Sequence, residues 1–370
     1  MTGCSVLHSK SSAENSNAVT SPSTSESDTA STSASPAALP EEKIGRLGIP
    51  YLFRYWQRKN AAGTGPSEVS GDRDLDCTLL AGLNLNVLET ARFFNPIKRP
   101  SFEAFEDWII ATNGGAMDDA ELARLRAALA GNTVGSAIGS LDGVEGLTSE
   151  ELAFWDDKGY VVVHDAVEPA HRDEAAAAIY DFLHASPTNP NSWYGRKFGV
   201  SIWVPLLRHS AFLANRRSPR LIKAFSQLWG REDLWAIVDQ GGLNPPERGD
   251  WKFPGPHVHW DATIAPPHRF GVQGILYLTD TPAEQGAFSC IPGFHRRLDE
   301  WLGMLPAGTD PRVAIRREPG FVPIAGKAGD LIIWHHLLPH GSSPNRGSLP
   351  RVAQYIALRS TRWEYTAEWA

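Results

Sequence analysis

The chain has 370 residues, 42% hydrophobic and 21% charged, with a formal net charge of −7. That is enough apolar material for at least one sizeable core in a main domain with attachments, and the negative balance offers no positive field for a phosphate backbone, so nucleic acid is not an expected partner. Cys4, Cys77 and Cys290 lie far apart without a Cys-x-x-Cys pair, which excludes a disulfide framework or a zinc knuckle. No apolar run approaches the ~18 residues of a membrane span, and "MTGCSVLHSK" lacks a signal-peptide core, so a cytoplasmic protein is expected.

Residues 1–42 are dominated by Ser, Thr, Ala and Pro. They have too little apolar side chain to offset the entropy of ordering, and a disordered tail is expected. Its acids Glu14, Glu26 and Asp28, with no arginine, argue against an organelle transit peptide. Residues 43–146 read as a helical extension. "SFEAFEDWIIATNG" (101–114) and "DDAELARLRAALAGN" (118–132) carry apolar residues at helical spacing, the second stopping at Gly131-Asn132. No chemistry is visible in this part.

The third region, 147–370, opens with "LTSEELAFWDDKGYVVVHDAV", a capping-box-like start followed by helix, turn at Gly159 and β-branched strand. A helix with Pro169 in its first turn follows over 168–186, and another over 218–230 closes at Gly230. Short strands punctuated by Gly and Pro then point to a sandwich or barrel, with the helices buttressing one face.

Within that region "GPHVHWDATIAP" (255–266) sets His257, His259 and Asp261 at alternate positions. On extended backbone such side chains point the same way, about 6.5–7 Å apart, close enough to converge on one ion. An imidazole and a carboxylate from one segment, completed by a second imidazole, make a two-His-one-carboxylate set that leaves coordination positions open and suits non-haem Fe(II). The second imidazole has four downstream candidates: His295, His335, His336 and His340. His295 ends the turn "IPGFH" and reads equally well as a polar turn residue. His340 ends the apolar run "GDLIIWHHLLPHG", which reads as a buried strand, and Gly341 beside it lets a ligand approach. Eleven residues further on, Arg351 opens a strand on which Ala353 and Tyr355 share its face. That strand is expected to run antiparallel to the one ending at His340. An arginine pointing into a barrel is costly unless an anion meets it, and its planar fork matches a carboxylate.

H-x-D, "GAFSCIPGFH", "GDLIIWHHLLPHGSSPN" and then the arginine, in that order, resemble the phytanoyl-CoA dioxygenase family of Fe(II)- and 2-oxoglutarate-dependent oxygenases. "EELAFWDDKGYVVVHDAV" is similar to that family's entry into its domain, and the resemblance spans roughly 147–360. It implies a mainly β fold with flanking helices: a double-stranded β-helix (jelly-roll, cupin-like) core over 147–370, behind the N-terminal helical extension. It implies that His259, Asp261 and His340 ligate iron, the "GSSPN" after His340 favouring it over His335 or His336. Arg351 and Ser342 would hold the distal carboxylate of 2-oxoglutarate, and Gln273, by strand parity, would face the pocket. The activity implied is hydroxylation of an unactivated C–H of a small-molecule substrate with O2, releasing succinate and CO2.

Asp261 keeps a carboxylate on the metal, which disfavours halogenation. Trp260 stands where the family often has glutamine. Trp334 and Tyr355 are candidates for the cavity wall, and His257 for a substrate or solvent contact. The segments 189–203 and 244–255 are candidate lids, in which Arg196 or Lys197 could meet an anion. Two rival readings are a cupin-like metal-dependent hydrolase or isomerase, which leaves Arg351 without a purpose, and a non-catalytic binding protein that retains the fold.

Overall fold

The computed structural model describes residues 44–61, 70–94, 99–195 and 201–361. The tail over 1–42 lies outside them.

Five helices come first: α1 (Pro50–Ala61), α2 (Ser70–Gly82), α3 (Val87–Phe93), α4 (Phe102–Thr112) and α5 (Asp119–Leu129). Three start on side-chain caps, Asn86, Ser101 and Asp118, each accepting from backbone N–H groups of the first turn. Gly131 follows α5 at φ +84°, where the sequence places a C-cap. The apolar faces meet around Phe105, fully buried among the rings of Tyr55, Phe93, Phe94 and Trp108. Polar contacts bind these helices to the rest of the chain. Asn86 Nδ2 donates to the Val238 carbonyl at 2.7 Å, and Asp74 meets Arg359 at 3.2 Å and Arg269 at 3.5 Å.

Next come α6 (Ser149–Lys158), β1 (Tyr160–Val163), α7 (Pro169–Phe182), β2 (Trp203–Val204), α8 (Ser210–Arg216) and α9 (Pro219–Trp229). Thr148 and Glu151 form the capping box of α6, and Gly159 ends it at φ +75°. That left-handed residue turns the chain into β1, the order of helix, turn and strand expected from the sequence.

The remaining strands are β3 (Leu234–Ala236), β4 (Gly241–Asn244), β5 (Val272–Tyr277), β6 (Phe288–Cys290), β7 (Val322–Pro323), β8 (Leu331–His335), β9 (His340–Ser342), β10 (Arg351–Ile356) and β11 (Leu358–Ser360). Two short helices, α10 (Leu298–Met304) and α11 (Pro311–Ala314), separate β6 from β7. The strands form an open six-stranded sheet ordered β1-β8-β5-β10-β4-β2, a three-stranded sheet β7-β6-β9 and the pair β11-β3, every pairing antiparallel. More of the described chain is helix than strand.

The two-residue period of a strand sorts the side chains of the large sheet. Leu276, Ile333, Val352 and Ile356 point outward into a core shared with α7, α8 and α9. Ile275, Tyr277, Ile332, Trp334, Ala353 and Tyr355 point inward and pack against Phe288 and Cys290 of the small sheet. Burial on both faces explains why these strands read as continuous apolar runs.

One expectation is corrected here. The run "GDLIIWHHLLPHG" is two strands in two sheets, because a turn closed by Leu338 N donating to the His335 carbonyl at 2.9 Å breaks it, and Pro339 has no N–H for a ladder. The strand from Arg351 therefore does not pair with the one ending at His340. β10 lies between β4 and β5, and β8, also antiparallel to β5, runs in the same direction as β10.

Replacing Phe105 with Ala should lower the unfolding free energy by about 3–5 kcal/mol, the usual cost of emptying a buried aromatic site; denaturant unfolding of the two proteins measures it.

Candidate metal centre

The segment carrying His259 is extended but belongs to no sheet. It touches β9 through one antiparallel bridge: His259 N donates to the His340 carbonyl at 2.9 Å, and His340 N to the His259 carbonyl at 3.0 Å. The two rings therefore stand side by side, 4.7 Å between centroids. Each ring is oriented by a carbonyl two residues back, His259 Nδ1 against His257 O at 2.7 Å and His340 Nδ1 against Leu338 O at 3.0 Å. A carbonyl only accepts, so both Nδ1 atoms carry the proton and both Nε2 atoms are left to face Asp261. Those Nε2 atoms lie 3.4 Å from Asp261 Oδ1 and 3.4 Å from Oδ2. One ligand atom from each residue falls within 4.8 Å of the others.

Burial pushes the Asp261 carboxyl up; the His259 and His340 rings, when each carries a second proton at Nε2, outweigh it and hold the group well below the usual carboxylate range. Burial lowers the His340 imidazole, and Asp261 only partly offsets this. With neutral rings, two nitrogen lone pairs and a carboxylate converge on one point, an arrangement that a divalent cation resolves. Gln273 on β5 donates Nε2 to Asp261 Oδ2 at 3.0 Å and so holds the carboxylate from behind.

Gly341 makes the approach of the two segments possible. A Cβ there would lie 2.7 Å from the His257 carbonyl oxygen and 2.9 Å from that of Pro256. Ser342 N in turn donates to the Pro256 carbonyl at 2.9 Å.

A pocket beside the three residues is walled by Trp203, Ile275, Phe288, Trp334, Ser342 and Tyr355. Arg351 shares the inward face of β10 with Tyr355 and is fully buried. Its Nε, Nη1 and Nη2 meet no carboxylate or carbonyl among the described residues; the polar group that stands near them is the Tyr355 hydroxyl, itself beside Ser342. Burial raises the Tyr355 phenol, with the Arg351 charge pulling it back. A buried guanidinium that meets a phenol and no counter-charge asks for an anionic acceptor.

The other candidates from the sequence are dispersed. Trp260 is buried away from the pocket, its Nε1 donating to the Leu337 carbonyl at 2.8 Å and its ring against Phe294 and Trp301. The side chain of His257 is exposed, and it is the backbone carbonyl that orients His259. Trp334 packs 4.9 Å from the His340 ring. His335 turns to Phe270 and Trp155, accepting from Leu337 N, while burial pushes His336 down to about 3. His295 sits against Gly159, with Nε2 at the Asp156 carbonyl. Arg196 and Lys197 lie outside the described residues. The candidate lid segments meet each other, Tyr194 donating to the Pro246 carbonyl at 2.9 Å under the Arg248 guanidinium.

Sequence reasoning missed Ile275 and Phe288 and held Trp203 only as the last residue of the candidate lid 189–203. The alternation that places Gln273 also carries Ile275, two residues on; Trp203 comes from a two-residue strand with no periodic signal.

Replacing Gly341 with Ala should pry the His259 segment from β9 and weaken divalent-metal binding at least tenfold, about 1.4 kcal/mol; metal titration followed by calorimetry checks it.

The phytanoyl-CoA dioxygenase (PhyH) family model matches residues 155–353. A Dictyostelium discoideum protein bearing the phytanoyl-CoA dioxygenase name is 24% identical over 260 residues, 56% of this chain and 74% of its own length. The ectoine dioxygenase of Bordetella parapertussis is 22% identical over 160 residues, 39% of this chain and 52% of its own length. Among solved structures, HygX from Streptomyces hygroscopicus with nickel and 2-oxoglutarate bound superposes with a TM-score of 0.44 at 16% identity, covering 60% of this chain and 94% of that one. The epimerase SnoN, in complex with Fe3+, alpha ketoglutarate and nogalamycin RO, superposes with a TM-score of 0.41 at 18% identity, covering 57% and 82%. The structural likenesses are too slight to be weighed; the family match, spanning more than half of the chain, places it in the phytanoyl-CoA dioxygenase family.

Proposed function

We propose that the protein is an Fe(II)- and 2-oxoglutarate-dependent dioxygenase that hydroxylates an unactivated C–H of a small-molecule substrate. In this reading His259, Asp261 and His340 hold the iron, and the inward-facing strands of the two larger sheets are the halves of a double-stranded β-helix. Residues 147–370 form the dioxygenase domain and 43–146 its helical extension. The observation that carries the reading is Arg351: a fully buried guanidinium that no carboxylate meets among the described residues, beside a pocket that ends at two imidazoles and a carboxylate. A hydrolase or isomerase of similar ligands gives that cation nothing to do.

Bound there, Fe(II) with 2-oxoglutarate and O2 supplies oxidative decarboxylation to succinate and CO2, coupled to oxidation of a substrate C–H. The chain's own work is positional. The carbonyls of His257 and Leu338 fix both imidazole tautomers, and Gln273 fixes the rotation of the Asp261 carboxylate. Arg351, with Ser342 and Tyr355 beside the pocket, takes the distal carboxylate of the co-substrate. Trp203, Ile275, Phe288 and Trp334 keep the space dry and apolar, as an alkyl substrate requires. The ectoine dioxygenase relative fits this reading.

Two measurements test it. Purified protein with Fe(II), O2 and 2-oxoglutarate should form succinate, at a rate abolished by chelation and by Asp261→Ala; iron-independent turnover, or none with iron bound, would overturn the proposal. Arg351→Met should weaken 2-oxoglutarate binding by about 2–5 kcal/mol, thirtyfold or more, because it removes one partner of a buried charge pair. The same substitution should leave the melting temperature of the metal-free protein unchanged or raised, since it replaces an unpaired buried cation by an apolar side chain of similar length.

A further inference from the structure

Residues 260–271 follow the bridge at His259 and belong to no helix or strand. Asp261, the carboxylate of the candidate cage, therefore takes its place from no ladder. Gln273 holds its side chain, and a second group holds its backbone from another direction. Arg312 on α11 donates Nη1 to the Trp260 carbonyl at 2.6 Å and Nη2 to the Ala262 carbonyl at 2.8 Å.

The two acceptors belong to the residues on either side of Asp261. A guanidinium presents its N–H groups in one rigid plane, so meeting both carbonyls at once sets their relative orientation and with it the direction in which the residue between them projects. An exposed arginine ordinarily stays in water or meets a carboxylate for little gain. This one, exposed on a four-residue helix, gives its fork to the backbone of the metal motif.

Arg312 itself starts from fixed ground. Asp310 caps α11 by accepting from Arg312 N at 2.8 Å, and Ile315, just past the helix, is fully buried in the core that also holds Trp260 and Trp301. His268 Nε2, 2.6 Å from Asp299 Oδ1 on α10, adds a further tie between the same connection and the segment after the motif. That connection joins β6 to β7, in the sheet whose third strand, β9, carries His340. One small sheet thus presents His340 directly and steadies Asp261 through Arg312.

We infer that Arg312 is a positioning residue of the metal centre, holding the backbone around Asp261 so that the carboxylate reaches both imidazoles. The inference rests on reading His259, Asp261 and His340 as metal ligands, and it gives the β6–β7 connection a part in metal binding although it carries no ligand. Charge alone points the other way. A nearby cation repels a metal ion, so removing it should tighten binding, whereas removing a clamp loosens it.

Co(II), titrated into the metal-free full-length chain and followed by its visible absorption, is the probe. Arg312→Met, which keeps the stem and removes the donors, should weaken Co(II) binding about tenfold, the lower end of the usual cost of losing a group that orients a ligand, and shift the absorption bands. Arg312→Lys, with an ammonium in place of the fork, should fall between that variant and the unaltered chain. Arg316→Met, which removes an exposed arginine from the same connection, should leave affinity and bands unchanged. Asp261→Ala should abolish binding, which assigns the ion to the candidate centre. Thermal unfolding shows which metal-free variants are folded, and if Arg312→Met is not, weakened binding and shifted bands in Arg312→Lys decide. Binding that the Arg312 variants leave unchanged or tighten, or that Arg316→Met weakens equally, overturns the inference alone. An unaltered chain that binds no Co(II), or binding that survives Asp261→Ala, overturns the metal reading and this inference with it.

Discussion

Two hydrogen bonds between His259 and His340 hold the site together, joining a strand-less segment to the edge of a three-residue strand. The candidate metal centre depends on that bridge: it brings histidines 81 positions apart in sequence side by side and leaves Asp261, two residues along, within reach of both. The bridge depends in turn on Gly341, because backbone atoms fill the space a side chain would need. A small steric fact thus controls an electrostatic one. Bringing an anionic carboxylate and two imidazole nitrogens so close is favourable only when a cation or protons join them, so the fold holds a configuration whose reward comes from what it binds.

Arg351 poses the same problem with the opposite sign. A cation wholly removed from water and left without a counter-charge is among the least favourable things a core can contain. The antiparallel neighbours β4 and β5 leave it no choice, since the parity that turns Val352 and Gln354 toward the helices turns Arg351 inward. The phenols of Tyr277 and Tyr355 are the neighbours its charge acts on.

Much of this was legible in the sequence. The alternate spacing of His259 and Asp261, the glycine after His340 and the arginine eleven positions on are local patterns, and local patterns survive folding unchanged. The capping box at Thr148, the left-handed Gly159 and the stop at Gly131 were legible for the same reason. What could not be read was long-range pairing. An apolar run buried on both faces looks the same whether it is one strand or two, so the switch of sheets between His335 and His340 left no periodic trace, and the neighbours of β10 were misassigned with it. Trp203, in a strand too short to show alternation, was legible only as the end of a candidate lid, though its ring lies 4.5 Å from that of Tyr355. The polar ties from Asn86 and Asp74 to the sheets join residues more than 150 positions apart, beyond any window a pattern can span.

Trp260 has a consequence of its own. It stands between two of the three converging residues, yet its indole reaches backward to the Leu337 carbonyl, one residue before the carbonyl that orients His340. The two arms of the centre are thus riveted on opposite sides, by backbone in front and by an indole behind. The two segments are tied at two points, and the three converging side chains are placed by the fold itself. In the proposed iron reading, donors placed before binding lower its entropic cost.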